Sequence, residues 1–212
     1  ALRGLDARGS SGPAVALALE VAARASTVGP SRPDLVWSGP TAPGVHTRST
    51  RQVYDELIGT ATRSIWISTY AYYDGQHAFK SLADRMAAIG GLRVRILLNI
   101  ARRHDDDRPG DEVATRFAER FWSHDWPGEK RPAVYYDPRS LEPGGPEGVL
   151  HAKAIVVDDR AAFVTSANLT EAAFDRNIEV GILSRDPLLA TSLAKHFRLL
   201  IDHGRLQLLP HP

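Results

Sequence analysis

The run Leu92-Arg93-Val94-Arg95-Ile96-Leu97-Leu98-Asn99-Ile100 is apolar almost throughout. It is far shorter than the roughly 20 residues a membrane helix needs. It also lacks the strict alternation that leaves one strand face to water. Such a run reads as a strand with a central place in a mixed sheet, covered on both faces. Its neighbours in the chain agree. Ser64–Ala71 alternates aliphatic and small polar residues as a strand does, and Phe79–Ile89 reads as a helix closed by Gly90-Gly91. Asp111–His124 is expected to be a helix with Phe117, Phe121 and Trp122 towards one side. Further strands are expected at Leu35–Trp37, Ala133–Tyr136, Val149–Val157, Ala161–Thr165 and Ile178–Leu183, with a last edge strand at Leu206–Leu209. Asp158-Asp159-Arg160 would turn one hairpin. Ser49 or Thr50 can cap a helix running to about Gly59, and Pro187 after Asp186 opens one to about Asp202. Strands alternating with helices specify an α/β fold, a mixed β-sheet flanked by helices on both faces.

The 212 residues suit one domain of ordinary size. Gly12–Ala25 reads as a helix, followed by a Pro/Gly/Ser break from Val28 to Pro33. Residues 1–33 are therefore expected to form an N-terminal helical extension and residues 34–212 the main domain. Lys and Arg number 26 against 25 Asp and Glu, so overall charge gives no vote for nucleic acid, and any basic surface must be local. The absence of cysteine excludes disulfides and thiolate metal sites and fits a cytoplasmic location. The Ala-rich segment Val15–Ala23 is interrupted by Glu20 and followed by Arg24, so it reads as a helix rather than a signal peptide core. No run reaches the length of a membrane span, and no apolar anchor stands out, so no membrane partner is expected.

The chemistry concentrates near the C-terminal third. His151-Ala152-Lys153 is followed after four residues by Asp158, then by Thr165-Ser166-Ala167-Asn168 and by Asn177-Ile178-Glu179. On a strand, residues two apart share a face, which would set an imidazole beside a fixed positive charge. Ser166 and Asn168 can add two hydrogen-bond donors. A His, a Lys, a Ser and an Asn converging on one point make a site for a tetrahedral oxyanion such as phosphate. A lone strand histidine is more often structural than catalytic; five residue types in this register reverse that weighting.

This spacing resembles the HKD signature of the phospholipase D superfamily, His-x-Lys, four residues, Asp, six residues, Gly-Ser-x-Asn. The one departure is Thr165, which stands at the usual glycine. Arg63–Tyr70, a helix and Leu92–Leu98 look like the first strand-helix-strand unit of that fold. Family members need two motifs for one active site, and here there is one. None of His46, His77, His104, His124, His196, His203 or His211 has Lys two positions later. The resemblance therefore implies a homodimer with two His151 residues facing each other, as in the single-motif nucleases of the family. It implies that one His151 attacks phosphorus to form a phosphohistidine, while the other protonates the leaving oxygen and later activates water. Lys153, Ser166 and Asn168 would hold the phosphoryl oxygens, and Glu179 would accept from the far ring nitrogen of His151. Asp158 is expected to be structural. Tyr70, Tyr72 and Asn177 are the expected substrate-binding residues. No cofactor and no metal is required.

The expected function is a metal-independent phosphodiesterase, an endonuclease acting on nucleic acid, DNA ahead of RNA. Val36–Pro40 with Arg48–Thr50 also looks like the phospholipase D-like component of bacterial DISARM antiphage systems, which implies other antiphage proteins as partners. The rivals are a phospholipase or phosphatidyl transferase and a non-catalytic phosphate-binding module. His104-Asp105-Asp106-Asp107 is an acid-rich run that reads as a solvated loop in preference to a metal site. Arg102, Arg103, Lys130 and Arg139 are candidates for tracking a phosphate backbone.

Overall fold

In the computed structural model the described residues are Ala16, Glu20, 32–103, 105–142 and 149–211. The chain divides between Arg32 and Pro33 into two units. The helix expected over Gly12–Ala25 lies outside the described residues except for Ala16 and Glu20, which are both helical.

The larger unit is built on a nine-stranded mixed sheet in the order β2-β1-β8-β7-β6-β3-β4-β5-β9. The strands are β1 (Asp34–Ser38), β2 (Arg48–Ser49), β3 (Ser64–Thr69), β4 (Arg93–Leu98), β5 (Ala133–Tyr136), β6 (Ala154–Val157), β7 (Ala161–Thr165), β8 (Glu179–Ser184) and β9 (Gln207–Leu208). β3, β4 and β5 run parallel, and β6 returns antiparallel beside β3. β4 sits between β3 and β5, the central position its apolar run demands. Its charges are accommodated at the margins. Arg93 is exposed at the strand start, and Arg95 lies over the Trp66 ring at 4.7 Å across the β3–β4 register.

Six helices pack around the sheet: α1 (Thr50–Thr60), α2 (Gly75–Ala78), α3 (Lys80–Ala88), α4 (Gly110–Arg120), α5 (Glu171–Asp175) and α6 (Pro187–Asp202). One face carries the larger core, where Val53, Leu57 and Ile58 of α1, Leu82 and Met86 of α3 and Val113 of α4 meet Ile65, Ile67, Ile96 and Phe163 of the sheet. Each fully buried aliphatic or aromatic side chain there contributes about 1.5–3 kcal/mol. α4 does not reach His124 as an α-helix; it passes at Phe121–Asp125 into a π-helical turn, closed by Trp126 N–H to the Phe121 carbonyl at 2.8 Å. Phe121, Trp122 and Trp126 are all buried by this arrangement.

Among the described residues the opposite face is covered by α6, whose Ala190, Ala194 and Phe197 pack on Trp66, Leu97, Ala154, Val156 and Ala162. The helix reaches as far as Ala162 of β7 and leaves the carboxyl end of β7 and strands β8 and β1 less covered. Leu35, Val164, Val180 and Ile182 lie there on one face and are 38–48% exposed. No apolar patch was visible along the sequence. The sheet builds one from three strands because cross-strand neighbours come from positions far apart in the chain. No described helix is long and apolar enough to cross a membrane.

Candidate active site

The motif residues gather at one end of the sheet, at the carboxyl ends of β3, β4, β5 and β7 and the amino ends of β6 and β8. Ligands of α/β folds bind characteristically beyond the carboxyl ends of parallel strands. His151 and Lys153 are not on a strand, as the expected Val149–Val157 element required; β6 begins only at Ala154. Residues 149–153 approach the sheet as a lead-in fixed by other contacts. Leu150 N–H donates to Asn99 Oδ1 at 3.2 Å, and Ser68 Oγ donates to the Ala152 carbonyl at 2.9 Å. The Lys153 carbonyl accepts from Thr165 N–H at 3.1 Å.

The two side chains nevertheless meet. Lys153 Nζ lies 3.0 Å from Nδ1 and 3.1 Å from Nε2 of His151. Tyr70 forms the third side of this cluster. Its ring is 4.7 Å from the imidazole and 5.6 Å from Lys153 Nζ. Tyr70, expected to bind substrate, thus packs directly against the two motif residues. Burial pushes the Lys153 ammonium below the ordinary lysine value, and the charge of Glu179 works in the opposite direction.

Ser166, Asn177 and Glu179 form a second cluster. Ser166 Oγ donates to Glu179 Oε2 and accepts from Val180 N–H at 3.1 Å, and Asn177 Nδ2 is 3.4 Å from Glu179 Oε1. The expected hydrogen bond from Glu179 to His151 is replaced by these contacts. Glu179 starts β8, and β7 stands between β8 and β6. The charge of Glu179 still reaches the Lys153 ammonium, which in turn touches His151. Asn168 accepts from Ala71 N–H through Oδ1 at 3.2 Å, so its amide NH₂ is the group that remains to donate.

Thr165, the departure from the glycine pattern, takes part in this local structure. Its hydroxyl donates to the Val180 carbonyl at 3.2 Å and accepts from Ala167 N–H at 3.1 Å, shaping the turn that presents Ser166 and Asn168. Asp158 lies at the far end of the hairpin. Its carboxylate accepts from Thr62 N–H and Oγ1, Arg63 N–H and Ser64 N–H at 2.7–2.9 Å. Burial pushes its pKa up, but these hydrogen bonds outweigh burial and hold it below the ordinary value.

Tyr72 is not brought to this site. Its hydroxyl donates to Asp125 Oδ2 at 2.7 Å, and its ring packs 5.1 Å from Phe79 and 6.2 Å from Phe121. In the acid-rich loop, His104 lies outside the described residues. Asp105 pairs with Arg103 and Asp106 with Arg108, which pulls the Asp106 carboxyl down to about 2. Arg102 is tied to the carbonyls of Leu141, Asp106 and Arg108, and Lys130 to that of Met86. Asn99 and Ser68, which position the motif's backbone, carried no signal in the sequence because single polar residues at strand ends are common.

Comparison with known proteins gives a consistent result. Residues 54–201 match the family described as cardiolipin synthase, PLD-like domain. The chain is 30% identical over 146 residues to cardiolipin synthase 1 of Bacillus anthracis, covering 69% of this chain and 24% of that protein. It is 27% identical over 150 residues to cardiolipin synthase A of Pseudomonas entomophila L48, covering 71% and 27%. The chain therefore spans about a quarter of the length of these curated relatives. Among solved structures it is similar to Nuc of Salmonella typhimurium, titled a phospholipase D family member, with TM-score 0.52 and 19% identity over 85% of this chain and 100% of that one. It is also similar to phosphatidylserine synthase of Haemophilus influenzae Rd KW20, with TM-score 0.53 and 20% identity over 84% of this chain and 40% of that one. At these identities the structural likeness speaks for the fold.

Proposed function

This chain belongs to the phospholipase D-like domain family of cardiolipin synthase, and we propose that it is a phosphodiesterase that hydrolyses nucleic acid, DNA ahead of RNA, through a phosphohistidine at His151. The observation that carries this reading is the exposed His151 imidazole held 3.0 Å from the Lys153 ammonium, at the same sheet end as Ser166 and Asn168. A ring nitrogen of His151 attacks phosphorus, forming the N–P bond as the ester P–O bond breaks. The leaving oxygen takes a proton from His151 of the partner subunit. That second imidazole then removes a proton from water, which attacks phosphorus and releases His151. Lys153 from both copies neutralises the phosphoryl oxygens, and the amide NH₂ of Asn168 adds a hydrogen bond; each such donor contributes about 3 kcal/mol. The two lysines supply the electrostatic stabilisation, so the reaction requires no divalent ion.

Half of this site is present in each chain. The bare face formed by Leu35, Val164, Val180 and Ile182 supports a second copy docking alongside, since it ends at Val180 and Ser166, next to the motif. The same face, together with the names of the curated relatives, favours one rival, hydrolysis or transfer on a phospholipid headgroup. The antiphage role suggested by the N-terminal half finds no support among these relatives and is not carried forward.

The test is incubation of the protein and its His151→Ala variant with plasmid, single-stranded DNA, RNA and phospholipid vesicles, with and without EDTA. Nucleic-acid cleavage that survives EDTA and falls at least ~10³-fold in His151→Ala is the expected result. Turnover of vesicles alone sinks the nuclease reading in favour of the lipid one.

A further inference from the structure

A cavity of about 260 Å³ opens beside His151 on the α6 side of the sheet. Its lining combines His151, the apolar side chains Leu97, Phe197 and Leu200, and two guanidinium groups, Arg139 and Arg205. The two arginines differ. Arg139 is held on both carboxylate oxygens of the buried Asp137, so the pair is close to neutral. Arg205 has its backbone fixed by N–H to the Leu200 carbonyl at 2.8 Å, while among the described residues its side chain makes no hydrogen bond or ion pair. An exposed guanidinium with no protein partner among the described residues therefore stands at the rim of a largely apolar cavity that the motif histidine also lines.

Because His151 lines the cavity, a phosphodiester seated at His151 would have the cavity within reach of one of its two esterified groups. The volume lies just below the range of about 300–1,000 Å³ usual for drug-sized ligands, which suits one small unit and not a long acyl chain. Apolar walls with a guanidinium suit a flat base, since the planar cation stacks on a π-face and also pairs with an adjoining phosphate. A base inside a duplex is stacked and paired, and it must be extruded at a cost of a few kcal/mol to enter such a pocket.

Resting on the nucleic-acid reading above, we propose that this cavity is a base subsite, that Arg205 holds the nucleotide next to the scissile phosphate, and that the enzyme acts on single strands. The test compares binding of a short fluorescein-labelled single-stranded oligonucleotide and its duplex by anisotropy, using the full chain and Arg205→Ala, with KM and kcat measured on the single strand. The single strand binds more tightly than the duplex. Arg205→Ala weakens it about tenfold, raising KM with kcat little changed, and Arg205→Lys restores only part of the loss. Equal affinity for single strand and duplex overturns the proposal, as does an indifferent Arg205→Ala. So does an Arg205→Ala effect confined to phosphatidylglycerol vesicles, which would assign the cavity to lipid. Normal cleavage with Arg205 indifferent sinks the subsite alone, whereas absence of any nucleic-acid cleavage sinks the parent reading and this one with it.

Discussion

Lys153 shows how a single residue is set for its work. Burial disfavours its charge, while Glu179 favours it, and burial prevails. A cation whose folded pKa is lowered binds fewer protons folded than unfolded, between that lowered value and the ordinary value of about 10.4. The cost of holding the charge is fully present at neutral pH and is relieved as pH rises through that window. Catalysis follows the opposite sense, because the neutral amine no longer stabilises the phosphoryl oxygens. Activity is therefore expected to decline on the alkaline side at a pH below that of a free lysine. Lys153→Arg shifts this decline upwards, since guanidinium stays charged, while lowering kcat about tenfold because a planar fork replaces a point charge. A pH–rate profile of the two proteins checks both, and an alkaline limb that ignores the substitution removes Lys153 from the charge-stabilising role.

At the scale of the element, the β6–β7 hairpin is held by one carboxylate. Asp158 and Asp159 take φ of +54° and +55°, and Arg160 N–H closes the turn on the Val157 carbonyl at 2.9 Å. Two left-handed residues are what a two-residue type I′ turn requires, although Asn-Gly or Asp-Gly is the usual pair. Asp158 offsets this strain with its hydrogen bonds to residues 62–64, which tie the hairpin to the start of β3. Asp158→Ala is expected to cost about 3 kcal/mol, because buried N–H donors lose their acceptor. The carboxylate's pKa is lowered, so its contribution is present above the unfolded value of about 3.9 and is lost as pH falls through the folded one. Urea unfolding at pH 7 should therefore separate the two proteins, and at strongly acidic pH the difference should shrink. Equal midpoints at pH 7 count against this account.

At the scale of the larger unit, α6 is the one described helix on its face of the sheet, and this decides which strand positions stay exposed. α6 packs on Ala162 of β7 but leaves Val164, Val180, Ile182 and Leu35 exposed, and an apolar patch of this kind marks an interaction surface. Placing one charge there, as in Ile182→Asp, is expected to shift the protein to monomer in sedimentation experiments, with no loss of secondary structure by circular dichroism. Phosphodiester cleavage should fall in parallel, because each monomer keeps only one imidazole. A monomer that cuts at the original rate defeats the shared-site mechanism, whatever its substrate.

Local interactions made much of this molecule legible in one dimension. Pro187 after Asp186 marked α6 because Pro fits a first helical turn and the Asp186 side chain accepts from Leu188 N–H at 2.9 Å. The apolar run around Ile96 required a strand with neighbours on both sides, and the spacing from His151 to Asn168 marked the motif whose residues gather at one sheet end. Side-chain alternation was the wrong reason for the His151–Lys153 pairing, because residues 149–153 are shaped by Ser68 of β3 and by Asn99 just after β4. Strand order placed Glu179 with Ser166 instead of His151, assembled the apolar face of Leu35, Val164 and Ile182, and set Arg205 against the motif histidine's cavity. The sequence by itself determined the motif's residues and most of the segments that become helix or strand, since periodicity and capping act over a few residues. Tertiary structure alone decided which of those residues touch, because sheet neighbours are chosen by pairing between segments tens of residues apart.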